Sequence, residues 1–235
     1  MDLLRTNAIK LNIDLSQYQI DQFELFYREL ISQNKRVNLT AITGYDDVQI
    51  KHFVDSLTPI PHLCGINTDK VIDVGSGAGF PGIPLKIALP HIKLTLIESR
   101  GKKAQFLSHL TSVLKLNNVS VLYGRVEDFA RESVHRESYD ISLTRAVSSL
   151  STVLEYTLPL CKVGGYSICY RAAVDTYELE EANTIASLLG GCLYKNQLIS
   201  ADEQTTNRSL IFFSKVSPTP AKYPRKPGIP SKRPL

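Results

Sequence analysis

The chain is 235 residues long, with 43% apolar and 21% charged residues, the balance of a globular protein with a core of its own rather than a disordered or fibrous one. No apolar run approaches the roughly 18 residues a membrane helix needs. The start Met-Asp-Leu-Leu-Arg-Thr-Asn lacks the basic-then-apolar layout of a secretory signal, so a cytoplasmic protein with no membrane partner is expected. The formal net charge of +4 is unevenly spread. Lys222, Arg225, Lys226, Lys232 and Arg233 fall in residues 217–235, which contain no acid; setting those five aside from the 27 leaves 22 basic against 23 acidic residues elsewhere. A basic cluster on a neutral body points to an anionic partner such as nucleic acid.

Taken in chain order, the first sixty residues read as helices. Ser16-Gln-Tyr-Gln19 has the form of a capping box, and Phe23, Phe26, Tyr27, Leu30 and Ile31 follow on one helical face. After a break at Asn38-Leu-Thr40, a second helix is expected over 46–57, with Ile50, Phe53, Val54 and Leu57 at helical spacing and Pro59 and Pro61 ending it. From Lys70 onward, short β-branched runs alternate with helices. Strands are expected over 71–74, 93–97, 119–122, 139–143, 166–170, 192–198 and 209–215, and helices over 84–89, 102–116, 127–131, 150–158 and 177–189. Such alternation predicts an α/β fold, a largely parallel sheet with helices on both faces. The last two strands leave no room for a crossover helix and should pair antiparallel. Beyond Val216, six of the twelve prolines crowd among lysines and arginines, a composition that predicts an extended, mobile tail, the alternative being a segment that packs back on the body with the Tyr223 ring as anchor. The chain thus divides into a helical extension (1–64), an α/β core (65–216) and a basic Pro-rich tail (217–235), and a monomer is expected. Cys64, Cys161, Cys169 and Cys192 lie far apart in apolar surroundings, without metal-ligand spacing, and are expected to be small buried hydrophobes.

The strand over 71–74 runs directly into Gly75-Ser-Gly-Ala-Gly79. Glycine lets such a loop turn tightly and lets a ligand approach main-chain N–H groups, and in an open parallel sheet the crevice lies at this end of the strands. A phosphate-binding P-loop would require Gly-Lys-[Ser/Thr], but Gly82 is followed by Ile83 and the loop has no Lys or Arg. A dinucleotide site stays open, since Gly77-Ala-Gly79-Phe-Pro-Gly82 matches G-x-G-x-x-G. The acid two positions before the first glycine, Asp73-Val-Gly75-Ser-Gly77, suits the ammonium of a methionine-derived sulfonium ligand better than a pyrophosphate. Glu98, 23 residues after Gly75, ends the next strand where a carboxylate can accept from ribose hydroxyls. His52 and Asp55, at i and i+3, suggest a hydrogen-bonding pair or a substrate contact rather than a metal site, because no third ligand follows. Arg145, after an apolar strand, calls for a salt bridge unless it meets a ligand. Asn34 and Asn38 suit a helix end and its loop.

With the loop in view, the chain resembles the small-subunit ribosomal RNA methyltransferase G family, also called glucose-inhibited division protein B. The matching stretches are Asn38-Leu-Thr-Ala-Ile42, His52-Phe-Val-Asp-Ser-Leu57, Asp73 through Leu85, Arg125-Val-Glu127, Arg145-Ala-Val147 and Tyr223-Pro-Arg-Lys226. The family often has Trp where this chain has Gln33, and Lys-Gly where it has Arg171-Ala172. The resemblance implies a seven-stranded Rossmann-like fold and an enzyme that methylates N7 of a guanosine in 16S rRNA, free or in the small ribosomal subunit, with S-adenosylmethionine and no metal. It also implies cofactor contacts at Gly75, Phe80, Val126, Glu127 and Arg145, beside Gly77 and Glu98 from the loop argument. A non-catalytic RNA-binding module or a nicotinamide-dependent oxidoreductase on the same fold remains the alternative, and no catalytic residue is assigned.

Overall fold

The computed structural model describes residues 1–145, 148–199 and 208–235; Ala146 and Val147 of the matching stretch at Arg145 lie outside the described residues. Its centre is a seven-stranded sheet formed by β1 (Lys70–Val74), β2 (Lys93–Glu98), β3 (Val119–Tyr123), β4 (Tyr139–Arg145), β5 (Cys161–Ala172), β6 (Gly191–Ile199) and β7 (Arg208–Lys215). The order is β3-β2-β1-β4-β5-β7-β6. The first five strands are parallel, and β7 enters antiparallel between β5 and β6. The chain steps outward from β1 to β3 and then returns to place β4 beside β1. This reversal opens a crevice at the carboxyl ends of β1 and β4. The strands carry apolar residues at both parities because both faces are covered. In β1, Val71 joins the core of one face while Ile72 and Val74 join that of the other; in β7, Leu210 and Phe212 point one way, Ile211 and Phe213 the other.

One face is covered by α1 (Asp2–Lys10), α2 (Gln17–Val37), α5 (Gly82–Ala88), α6 (Gly101–Val113) and a helical rod made of α3 (Tyr45–Val48), a π-helical turn (Gln49–Val54) and α4 (Asp55–Leu57). The capping box at Ser16 and Gln19 is formed. Gln19 also donates to Ile87 and Ala88 carbonyls at 2.7 and 3.3 Å, and Gln22 donates to the Leu114 carbonyl at 2.8 Å. These two glutamines satisfy carbonyls that the ends of α5 and α6 leave without helical partners, tying α2 to the sheet's own helices. Asn38 ends α2 in the left-handed region at φ 50°, and the Asn34 side chain bonds Leu39 and Thr40 across the turn.

The other face carries α7 (Val126–Phe129), α8 (Leu150–Thr157) and α9 (Thr176–Leu188). It also carries the segment expected to be a mobile tail, and here the expectation is corrected. The Tyr223 ring is buried with Leu154, Ile185 and Phe213. Arg136 donates to the carbonyls of Tyr223 and Thr219 at 2.8 and 2.7 Å, and Arg131 to that of Pro224 at 2.6 Å. Arg225 grips Glu155 through its backbone N–H, Nε and Nη2 at 2.6 to 3.1 Å. Composition alone counts few apolar residues in the segment; it does not count the donors that the body supplies. The segment ends in a short helix, α10 (Ile229–Lys232). Its other cations, Lys222, Lys226, Lys232 and Arg233, stay exposed. Cys64 is a second correction: it is exposed in the turn before β1, whereas Cys161 and Cys169 are buried as expected and Cys192 is half-buried, all four as free thiols. Among the described residues no helix is long and apolar enough to cross a membrane.

Candidate active site

The glycine loop leaves β1 with Gly75, Gly77 and Gly79 all at positive φ. Gly82 is required for a different reason: a Cβ there would stand 2.8 Å from Asp73 Oδ2, the atom that accepts its N–H at 3.0 Å. Glu98, at the end of β2, braces the loop from the side. Its Oε2 accepts from the Gly77 N–H at 2.9 Å and its Oε1 from the Arg100 N–H at 2.7 Å. The loop forms one wall of a cleft of about 200 Å³, which Gly75 shares with Ile97, Ser99, Val126, Glu127 and Tyr156. Ser148 also lines it, with its carbonyl accepting from Arg171 Nη1.

Two buried carboxylates at this crevice carry an oxygen with no protein partner. Asp73 is fully buried, and its Oδ1 is unpaired. Burial pushes its carboxyl up to about 7, against the lowering effect of the Gly82 N–H. Glu127, 0% exposed, accepts from Arg125 at 3.0 Å and from the Gly228 N–H at 2.8 Å through Oε1, leaving Oε2 unpaired. Buried acceptors are almost always satisfied, so two such atoms around one glycine loop mark places for donors from a ligand. Three carboxylates and no loop cation suit a ligand bearing N–H donors rather than a pyrophosphate. Among the described residues no group of three His, Cys, Asp or Glu side chains could hold a metal ion.

Of the seven residues expected from sequence, the structure brings Gly75, Val126 and Glu127 into this cleft, with Gly77 in the loop beside it and Glu98 bonded to the Gly77 N–H. Phe80 and Arg145 do not line it. Phe80 is buried between Phe26 and His52, ring centroids 5.0 and 4.4 Å away, with the Arg145 guanidinium 5.1 Å from its centroid. Arg145 pairs with Asp55 at 2.7 Å, and its Nη2 lies 3.0 Å from His52 Nδ1. Asp55 also takes Arg208 at 3.1 Å. Burial, reinforced by the Arg145 charge, lowers His52 to about 3, which keeps the ring neutral; its Nε2 meets Thr40 at 2.8 Å. His52 and Asp55 do not bond each other but meet through Arg145; the sequence left Arg145 between a salt bridge and a ligand contact, and it named neither Asp55 as the acid nor Arg208 as a second partner. The available signal was Arg145 itself, a cation ending an apolar strand and therefore in need of an acid.

Comparison with known proteins agrees with this arrangement. The family model described as "rRNA small subunit methyltransferase G" matches residues 19–207. The chain belongs to that family. A relative named ribosomal RNA small subunit methyltransferase G from Dehalococcoides mccartyi (strain CBDB1) is 46% identical over 226 residues, 96% of this chain and 95% of the relative. Its namesake in Staphylococcus aureus (strain JH9) is 43% identical over 95% of this chain and 93% of the relative. Solved structures share the fold at low identity. A SAM dependent methyltransferase from Aquifex aeolicus has a TM-score of 0.53 at 15% identity, covering 79% of this chain and 98% of that one. M. jannaschii TYW2 in complex with AdoMet has 0.51 at 20%, covering 64% of this chain and 71% of that one. The Rossmann-like methyltransferase fold with added N-terminal helices is thus established.

Proposed function

We propose that the protein transfers a methyl group from S-adenosylmethionine to N7 of a guanosine in 16S rRNA. The observation that carries this reading is membership, over nearly the whole chain, in a family named for methylating small-subunit rRNA. The site supports it. S-adenosylmethionine carries donors on its adenine amino group, its ribose hydroxyls and its ammonium, and the two unpaired oxygens of Glu127 and Asp73 are acceptors suited to the first and the last. In this reading Val126 and Glu127 hold the base, Gly75 and Gly77 pass the chain close to the ligand, and Glu98 fixes the loop and faces the ribose. Phe80 and Arg145 act on the amino-acid end from the neighbouring cluster. An oxidoreductase binding a dinucleotide would set its pyrophosphate against this acidic surround, which disfavours that alternative.

When bound, the cofactor supplies an electrophilic methyl on a positively charged sulfur. Guanine N7 carries a free lone pair, so it would take that methyl, with the thioether as leaving group, without first losing a proton. The protein's task is alignment of the two partners, and positioning of this kind is worth on the order of 7–11 kcal/mol. Exposed Lys226, Lys232 and Arg233 supply cations for the RNA backbone. The test is transfer of labelled methyl to 16S rRNA, naked and as small-subunit particles, with mapping of the product base. Label on N7 of one guanosine is expected, and Gly75→Val, which sets a branched side chain at φ 73°, should abolish it. Label elsewhere, or transfer undiminished in a folded Gly75→Val protein, would refute the assignment.

A further inference from the structure

The C-terminal segment reaches the cofactor cleft itself. Gly228 donates its N–H to Glu127 Oε1, Thr152 Oγ1 donates to the Pro230 carbonyl at 3.1 Å, and Ser231 lines the cleft together with Gly75. One buried carboxylate therefore faces both ways. Its Oε1 is held by Gly228 and Arg125, and its Oε2 has no partner. A base held by Val126 and Glu127 in this cleft of about 200 Å³ shares it with Ser231, which lines the same space. We propose that residues 228–231 are the outer wall of the cofactor site and close over the base end of S-adenosylmethionine, an inference that rests on the cofactor reading above.

The physical chain is short. With the segment docked, water is kept from Glu127, and the carboxylate is fixed so that Oε2 accepts from the base. With the segment lifted, Oε1 loses its Gly228 donor, water hydrates the acid, and the base loses a wall. Docking and cofactor binding then strengthen each other by the same factor, because coupling between two equilibria is reciprocal. The anchors at Tyr223 and Arg225 precede Gly228 in the chain, so its turn can be disturbed while the fold is kept.

The experiment uses full-length protein and two variants. Gly228→Pro removes the N–H that Glu127 accepts and forbids the φ of 81° found there. Gly228→Ala keeps the N–H and meets no atom within 4 Å, but strains the left-handed turn. Calorimetric titration with S-adenosylmethionine should show affinity about tenfold weaker (about 1.4 kcal/mol) for Gly228→Pro, with Gly228→Ala between it and the parent. In the unaltered protein, the cofactor should slow hydrogen exchange of the amides over 228–232, which a purely structural tail would not show. Affinity of Gly228→Pro within about twofold of a parent that binds, or exchange over 228–232 indifferent to the cofactor, would overturn the proposal. A parent that binds no S-adenosylmethionine would instead overturn the cofactor reading, and this inference with it.

Discussion

Replacing Arg225 by alanine removes every side-chain donor from Glu155, whose side chain is 0% exposed, and leaves it one backbone N–H. Stripping the partner from a buried ion pair costs about 3–5 kcal/mol, because the remaining charge stays in a poor solvent. Arg225 is itself 25% exposed, so part of its charge is already solvated and the lower end of that range applies, about 3 kcal/mol. For a chain of this size that is a fall in melting temperature of roughly 6–12 °C. The pair is asymmetric. Glu155→Leu removes the buried charge and frees an arginine that reaches water, so it should cost less than Arg225→Ala. The double variant Arg225→Met with Glu155→Leu should recover much of the loss, since apolar replacement of a buried pair is often neutral. Urea and thermal melts of the parent, the singles Arg225→Met and Glu155→Leu and their double variant complete a double-mutant cycle. Melts of Arg225→Ala within about 0.5 kcal/mol of the parent would refute the reasoning and return residues 217–235 to a loose arm.

Two further predictions follow from buried groups near the glycine loop. Asp73 is held up at about 7 against an ordinary 3.8, so the folded protein binds that proton more tightly than the unfolded chain; the associated stability is full below about pH 4 and is lost as pH rises through about 7. Asp73→Asn should abolish that part of the pH dependence, and a variant whose stability changes with pH as the parent's does would contradict it. Phe80→Ala should cost about 3–5 kcal/mol in urea melts, because the ring is packed among Phe26, Phe53 and His52, while Phe80→Leu recovers most of the loss. An unchanged melt of Phe80→Ala would refute the packing role of this ring.

Local signals account for what the sequence discloses. β1 and β3 are short β-branched runs bounded by Asp69 and Gly75 and by Asn118 and Gly124, and the capping box at Ser16 is complete within four residues. Asp73 through Gly82 is likewise one contiguous stretch whose chemistry can be read without knowing the fold. What escapes is set by pairs far apart in the chain. Arg145 finds Asp55 across 90 positions, Arg225 finds Glu155 across 70, and Gly228 finds Glu127 across 101. Nothing in the composition of residues 217–235 announces those partners. The prolines that suggest a loose arm also leave carbonyls free of regular structure, and Arg131 and Arg136 take them up. Glu98 shows the intermediate case. Its position at the end of β2 was legible, but its bonds to Gly77 and Arg100 depend on how the loop folds back over it.

The two ends of the chain meet the same loop from opposite faces of the sheet. From the N-terminal side, Phe26 and His52 stack on Phe80, the residue that follows Gly79. From the C-terminal side, Gly228 bonds Glu127 across the cleft that Gly75 opens. Parallel sheets leave the ends of β1 and β4 uncovered where the strand order reverses, and a glycine loop there has few side chains with which to hold itself. Added segments on both faces supply that rigidity. Carboxylates braced by backbone N–H groups keep fixed directions when the ligand arrives, so their alignment need not be achieved at the moment of reaction. In a transfer that depends on alignment rather than on proton movement, those distant supports bear directly on rate, because a displacement of about 1 Å in the held partners can cost on the order of a hundredfold.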